Sequence, residues 1–293
     1  MQNTRGTRWL RIKKLYISDL DGTLLNQDAL ISPKSKLLLN AAIENGAAFT
    51  IATARSIAMT QPLIGGLDLH WPIILMNGVF LYDPISRRYI RALTLAPSTV
   101  RCLGELFERN QIPYFLYTLQ DETLVLYHHP MKSWQEQHFW ERRQGKPEKR
   151  FEQTDAVPYM DDSLQTVYFA VVGKKALINQ AAALLGNIWG IRFAYYSDVY
   201  EPDMWYLEIF HPDADKANAA KEFARRYRFE YICAFGDNYN DLALFECADE
   251  SCAVANAVEP LKAIASHVIG ANTDDGVARW LHTRFCKDRL YAK

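Results

Sequence analysis

The sequence predicts an α/β protein: a doubly wound parallel-sheet core, split in sequence, that carries an inserted α+β domain. Three observations predict it. Short segments that are apolar on both faces, at 15–17, 48–52 and 72–76, alternate with helical patterns, as strands covered by helices on both sides do. From about residue 84 the rhythm changes to alternating strands and hairpins. After residue 204 the strand and helix alternation returns. The expected division is 1–83 with 205–293 as the core, and 84–204 as the insertion.

The first strand, 15–17, hands over through Ser18 to Asp19-Leu20-Asp21-Gly22-Thr23. Asp19 and Asp21 are two residues apart, so an extended backbone puts both carboxylates on one side at the strand's carboxyl end. Open α/β sheets bind ligands at that edge. Two like charges so close are costly unless a cation or a proton intervenes. Ser32 and Pro33 supply a helix start, and Gly46 a stop. The second strand, 48–52, delivers Thr53, Ala54 and Arg55 to the same edge. The segment 72–76 reads as a third parallel strand, ending at Asn77 and Gly78.

Within the insertion, 79–82 and 88–95 read as antiparallel strands, 98–110 as an amphipathic helix, and 113–119 with 123–129 as a hairpin. The polar stretch 144–150 (QGKPEKR) reads as a surface loop. A strand at 165–172, an Ala-rich helix at 174–185 and a strand at 191–196 complete it. His128, His129, Trp134 and Trp140 read as core packing or half-exposed surface, with the lining of a substrate pocket as the alternative.

The parallel pattern resumes with 205–210 and a helix from about 215 to 227 with Lys216 at its start. A buried strand at 231–235 then ends in Gly236-Asp237-Asn238-Tyr239-Asn240-Asp241. Helix 242–248 follows, then strands at 252–255 and 267–269 around a helix at 260–265, and 274–285 closes the pattern.

Composition narrows the class. With 49% hydrophobic and 23% charged residues in 293, the chain is able to bury sizeable cores. A formal net charge of −1 leaves no global basic footprint for nucleic acid. No apolar run approaches the roughly 18 residues of a membrane span. The first fourteen residues are basic (Arg5, Arg8, Arg11, Lys13, Lys14) without an apolar stretch, so they read as a solvated terminus rather than a secretory signal. Five cysteines without CxxC spacing read as reduced thiols in a cytoplasmic protein.

Asp19-Leu20-Asp21-Gly22-Thr23, Thr53-Ala54-Arg55, Lys216 and Gly236-Asp237-Asn238-Tyr239-Asn240-Asp241 run in an order that resembles the haloacid dehalogenase (HAD) superfamily, specifically its Cof-type phosphatases. Asn77-Gly78, Val254-Ala255-Asn256-Ala257 and Asp275-Gly276-Val277 are secondary matches. The resemblance implies a HAD-like core with an α/β cap and Mg²⁺-dependent hydrolysis of small phosphate monoesters, such as sugar or related metabolite phosphates. It implies Asp19 as the nucleophile that becomes an aspartyl phosphate, and Asp21 as general acid and then base. Asp19, the main-chain carbonyl of Asp21 and Asp237 resemble the Mg²⁺ ligands, with Asp241 supporting them. Thr53, the Ala54 amide, Lys216 and Asn240 resemble the phosphate clamp. The implied partner is a small-molecule phosphate ester, taken by a monomer or small homo-oligomer. Ala54 and Ala255 stand where the family commonly has Gly. A non-catalytic sugar-phosphate binder and a phosphomutase would share these motifs. A signalling receiver domain would be far shorter and would lack the segment 236–241.

Overall fold

The computed structural model describes residues 13–186, 188–198 and 201–286. Arg5, Arg8 and Arg11 of the basic terminus lie outside the described residues. In chain order the strands are Lys14–Ser18 (β1), Ala48–Ile51 (β2), Ile73–Leu75 (β3), Phe80–Asp83 (β4), Arg88–Ala92 (β5), Phe115–Gln120 (β6), Thr123–His128 (β7), Lys149–Gln153 (β8), Gln165–Gly173 (β9), Arg192–Ser197 (β10), Trp205–Phe210 (β11), Tyr231–Gly236 (β12), Glu250–Val254 (β13) and His267–Ile269 (β14). The helices are Pro33–Glu44 (α1), Ile57–Ile64 (α2), Pro97–Arg109 (α3), Trp134–Glu141 (α4), Lys175–Leu184 (α5), Lys216–Tyr227 (α6), Leu242–Cys247 (α7), Glu259–Ile264 (α8) and Gly276–Phe285 (α9).

The chain divides into two compact units. One gathers the residues up to Ala52, Gly66–Trp71 and those from Ala219 onward; the other gathers Thr53–Gly65 and Pro72–Asn218.

The first unit is built on a parallel sheet in the order β14-β13-β12-β1-β2. Leu15, Ile17, Ala234, Phe235, Ala253 and Val254 are fully buried, so consecutive residues of a strand are covered on both faces. β1 has β2 on one side and β12 on the other, which makes the gap between β1 and β12 the topological switch point. Helix α1 begins as expected: the Ser32 hydroxyl accepts from the Ser35 N–H at 2.9 Å, and Pro33 occupies the first turn. Asp275 then accepts the hydroxyls of Ser32 and Ser35, which ties α1 to the start of α9.

The second unit carries a mixed sheet in the order β10-β11-β9-β6-β7-β8, antiparallel throughout except for β7 with β8. On one face Leu116, Phe169, Val171, Leu207 and Ile209 form a core with Leu103 and Phe107 of α3 and Ile178 and Ala181 of α5. The alternate residues Tyr117, Tyr168 and Glu208 point to the other face.

Three elements differ from expectation. Trp205–Phe210 does not resume the parallel sheet; it pairs antiparallel with β9 and β10, with Leu207 opposite Val171 and Tyr195. It is apolar on both faces because this sheet also covers both, with aliphatic residues on one side and aromatic rings on the other. Residues 73–75 open a separate antiparallel sheet, β3-β4-β5, rather than adding a third parallel strand. Lys149 and Arg150, expected in a surface loop, begin β8, and Lys149 is buried. Their charge hid a strand.

Candidate active site

In the first unit, two adjacent parallel strands deliver carboxylates to one edge. Ser18 pairs with Phe235, and the ladder continues one step as the Asp19 N–H donates to the Phe235 carbonyl at 2.9 Å. Asp19 therefore leaves β1 beside the end of β12, where Asp237 begins the next loop. One carboxylate oxygen from each of Asp19, Asp237 and Asp241 lies within 4.8 Å of the other two. Asp19 and Asp241 are buried.

The loop chemistry explains how this is held. The Asp241 carboxylate accepts the N–H groups of Asp237 (3.1 Å) and Asn238 (3.2 Å), so it caps the turn as well as joining the cluster. Asp237 accepts the Thr23 hydroxyl at 2.9 Å through Oδ1. Gly22 has φ +75°, and a Cβ there would stand 2.2 Å from Asp237 Oδ2, so only glycine permits this approach. Asn256 pins the same loop by donating to the Gly22 carbonyl at 2.7 Å, a role that sequence reading left unassigned.

Three carboxylates in one buried cluster repel each other unless a cation or protons offset them. A set of oxygen donors around the cradle that Gly22 leaves open suits a hard divalent ion. The residues fit Mg²⁺. The Asp21 side chain and Asn240 are exposed and lie outside the three-carboxylate group.

In the second unit, the turn 76–78 organises the remaining motif residues. Thr53 is buried; its N–H donates to the Ile74 carbonyl at 2.9 Å, and its hydroxyl accepts the Arg55 N–H at 3.1 Å. Back across that loop, the N–H groups of Met76 and Asn77 donate to the carbonyls of Arg55 (3.1 Å) and Thr53 (3.0 Å). Gly78 (φ +93°) sits so close to the backbone of Asp215 that a Cβ would lie 2.3 Å from its carbonyl oxygen. Asp215 caps α6 through the Asn218 N–H (2.6 Å), and Lys216 is the first residue of that helix, 2% exposed. A cation at a helix's first turn opposes the macrodipole, so helix stability does not explain a buried lysine there. Ala54 is exposed, and neither it nor Ala255 has a positive φ, so the two alanines carry no left-handed strain.

The second unit also holds a cavity of about 280 Å³ that sequence reading missed. Ala54, Arg55 and Ser56 line part of it; Tyr117, Phe139, Arg143, Lys149, Tyr168 and Glu208 line the rest. Burial lowers the Lys149 ammonium to a pKa of about 7, with Arg143 pushing the same way and Glu208 opposing. Burial raises the Glu208 acid, opposed by hydrogen bonds from Tyr168 and Tyr196 and by the charges of Arg143 and Lys149. The available signal was Glu208 itself, an acid inside the apolar strand WYLEIF. His128 and Trp140 line a different cavity, of about 380 Å³, and Trp134 is half exposed.

Among the described residues, no helix is long and apolar enough to cross a membrane. The five cysteines are free thiols.

A family model for haloacid dehalogenase-like hydrolases matches residues 16–281. The chain is 28% identical over 269 residues to the pyridoxal phosphate phosphatase YbhA of Escherichia coli, covering 90% of this chain and 96% of that protein. It is 26% identical over 283 residues to the 5-amino-6-(5-phospho-D-ribitylamino)uracil phosphatase YitU of Bacillus subtilis, covering 92% and 97%. A haloacid dehalogenase-like hydrolase from Bacteroides thetaiotaomicron has a similar fold, with a TM-score of 0.76 at 24% identity over 93% of this chain and 100% of that one.

Proposed function

Because the chain belongs to the haloacid dehalogenase-like hydrolases, we propose that it is a cytoplasmic, Mg²⁺-dependent phosphatase of small phosphate monoesters working through an aspartyl phosphate. The observation that carries the reading is the convergence of Asp19, Asp237 and Asp241 at the switch point of a parallel sheet. The names of the two relatives, phosphatases of pyridoxal phosphate and of a phosphoribitylamino-uracil, support a small metabolite ester as substrate.

Asp19, Asp237 and the main-chain carbonyl of Asp21 would hold the ion, with Asp241 behind them. Bound Mg²⁺ supplies positive charge that lets a phosphate dianion approach carboxylates. Asp19 attacks phosphorus, an Asp19 oxygen–phosphorus bond forms, and the phosphorus–ester oxygen bond breaks. The proton of Asp21 goes to the departing alkoxide. Asp21, now a carboxylate, takes a proton from water, which attacks the aspartyl phosphate and releases inorganic phosphate and free Asp19. Thr53, the Ala54 amide, Lys216 and Asn240 are assigned to the phosphate oxygens, on which negative charge gathers during transfer.

The test is hydrolysis of an aryl phosphate. Chelation by EDTA should abolish it and added Mg²⁺ should restore it. Asp19→Asn should leave no measurable turnover, and Asp21→Asn should cost roughly 10²- to 10⁴-fold on an alkyl ester, less on an aryl ester whose leaving group needs little protonation. Full activity in chelator, or equal modest losses for the two variants, would overturn the proposal.

A further inference from the structure

The six-stranded sheet of the second unit ends in two strands with one neighbour each, β8 and β10. An edge strand offers a row of free N–H and C=O groups, and charges, proline or bulges are what keep such an edge single. β8 is guarded: Lys149, Arg150 and Glu152 put three charges in five residues. β10, running from Arg192 to Ser197 as RFAYYS, is not. It has no proline and pairs with β11 without a bulge, and its one charge, Arg192, is already paired with Asp215 at 2.9 Å. All six residues are exposed, Phe193 at 38% and Tyr195 at 53%.

The ladder with β11 sets which groups are free. The Asp198 N–H donates to the Met204 carbonyl at 2.8 Å, one step beyond the pair Ser197 and Trp205. Alternate residues of an antiparallel strand bond the same neighbour, so Ala194 and Tyr196 face β11 as Asp198 does. Phe193, Tyr195 and Ser197 therefore turn their N–H and C=O groups outward. Phe193 and Tyr195 also share a face, since they stand opposite Ile209 and Leu207.

We propose that β10 pairs antiparallel with β10 of a second copy of this chain, about a two-fold axis at Ala194, and joins the two sheets into one. Such an axis stands perpendicular to the sheet, so only residues of one face come opposite each other. With the axis at Ala194, Phe193 of each copy lies opposite Tyr195 of the other, and the outward backbone groups of both exchange hydrogen bonds. Aromatic cross-strand pairs are among those that stabilise a sheet. Neither neighbouring axis on that face sets both rings against rings: at Phe193, Tyr195 would meet Ile191, and at Tyr195, Phe193 would meet Ser197. The self-match favours a second copy over an unrelated chain. Phe193, Tyr195 and the nearby Trp189, 91% exposed, carry roughly 550–900 Å² of free ring surface between two copies. A standard interface buries about 1,600 Å², so this dimer is a weak, reversible one.

Light scattering on the wild-type chain tests it. At about 100 µM the mass should rise above 33.7 kDa toward twice that value, and fall back on dilution. Tyr195→Lys removes both aromatic pairs and guards the edge with charge; it should weaken association at least about tenfold and leave the circular dichroism melt unchanged. Mild oxidation reads the register separately. Ala194→Cys sets two Cα atoms about 4.5 Å apart at a non-hydrogen-bonded position, within disulfide reach, and should give a covalent dimer. Ser197→Cys does not meet itself and should crosslink no more than wild type. A chain that stays at 33.7 kDa leaves the edge to another occupant and overturns the proposal. So does a dimer that Tyr195→Lys leaves intact, or Ala194→Cys crosslinking no better than Ser197→Cys.

Discussion

Lys149 is a buried cation at the start of β8, where methionine would fill similar space without a charge to desolvate. Its pKa, brought down to about 7 by burial, means that the unfolded chain holds a proton between pH 7 and the usual lysine range that the folded chain has released. Stability from this group therefore rises with pH across that window, and the full penalty is present below pH 7. Lys149→Met should stabilise the protein by on the order of a few kcal/mol at pH 6, with the gain shrinking toward pH 10. Urea melts of both proteins at the two pH values check this. An equal gain at both would show that the ammonium is solvated. At the same scale, Gly22 is legible in the sequence as a turn residue, but its close approach to Asp237 is not, because the partner comes from the far end of the chain.

At the scale of elements, the turn 76–78 ties the Thr53 loop on one side and abuts the start of α6 on the other. Gly78→Ala should push the Asp215 backbone away and strain its own φ, lowering kcat/KM for an aryl phosphate at least about tenfold and stability by roughly 1–3 kcal/mol. Gly65→Ala, whose Cβ would come no nearer than 3.7 Å to its neighbours, is the control and should change neither. Indistinguishable kinetics and melting for the two variants would remove the turn from any positioning role. Much of this architecture was readable beforehand. Strand ends at Ser18 and Gly236 and the start of α6 at Lys216 came from local apolar runs and turn residues, which act over a few positions. Trp205–Phe210 and Lys149 were misread because strand partners are chosen tens of residues away. A run of apolar residues says that both faces are covered, not by what.

For the molecule as a whole, strand pairing decides where it can be cut. Replacing 84–204 by a short Gly/Ser linker would take β5 from β4 and both neighbours from β11, leaving bare strand edges. Replacing 95–210 removes the six-stranded sheet intact and keeps β3, β4 and β5 together. The second variant should give a folded circular dichroism spectrum and slow, unselective hydrolysis of acetyl phosphate; the first should aggregate. If both fold equally well, the pairing argument fails. The order of the parallel sheet also carries a consequence in time. During synthesis β1 finds β2 early, but its other edge stays open until β12 leaves the ribosome, after every strand of the second unit has emerged. Asp19 waits equally long for Asp237 and Asp241. An unfinished chain therefore holds no three-carboxylate cluster, and the phosphate chemistry proposed for it would begin only near the end of translation.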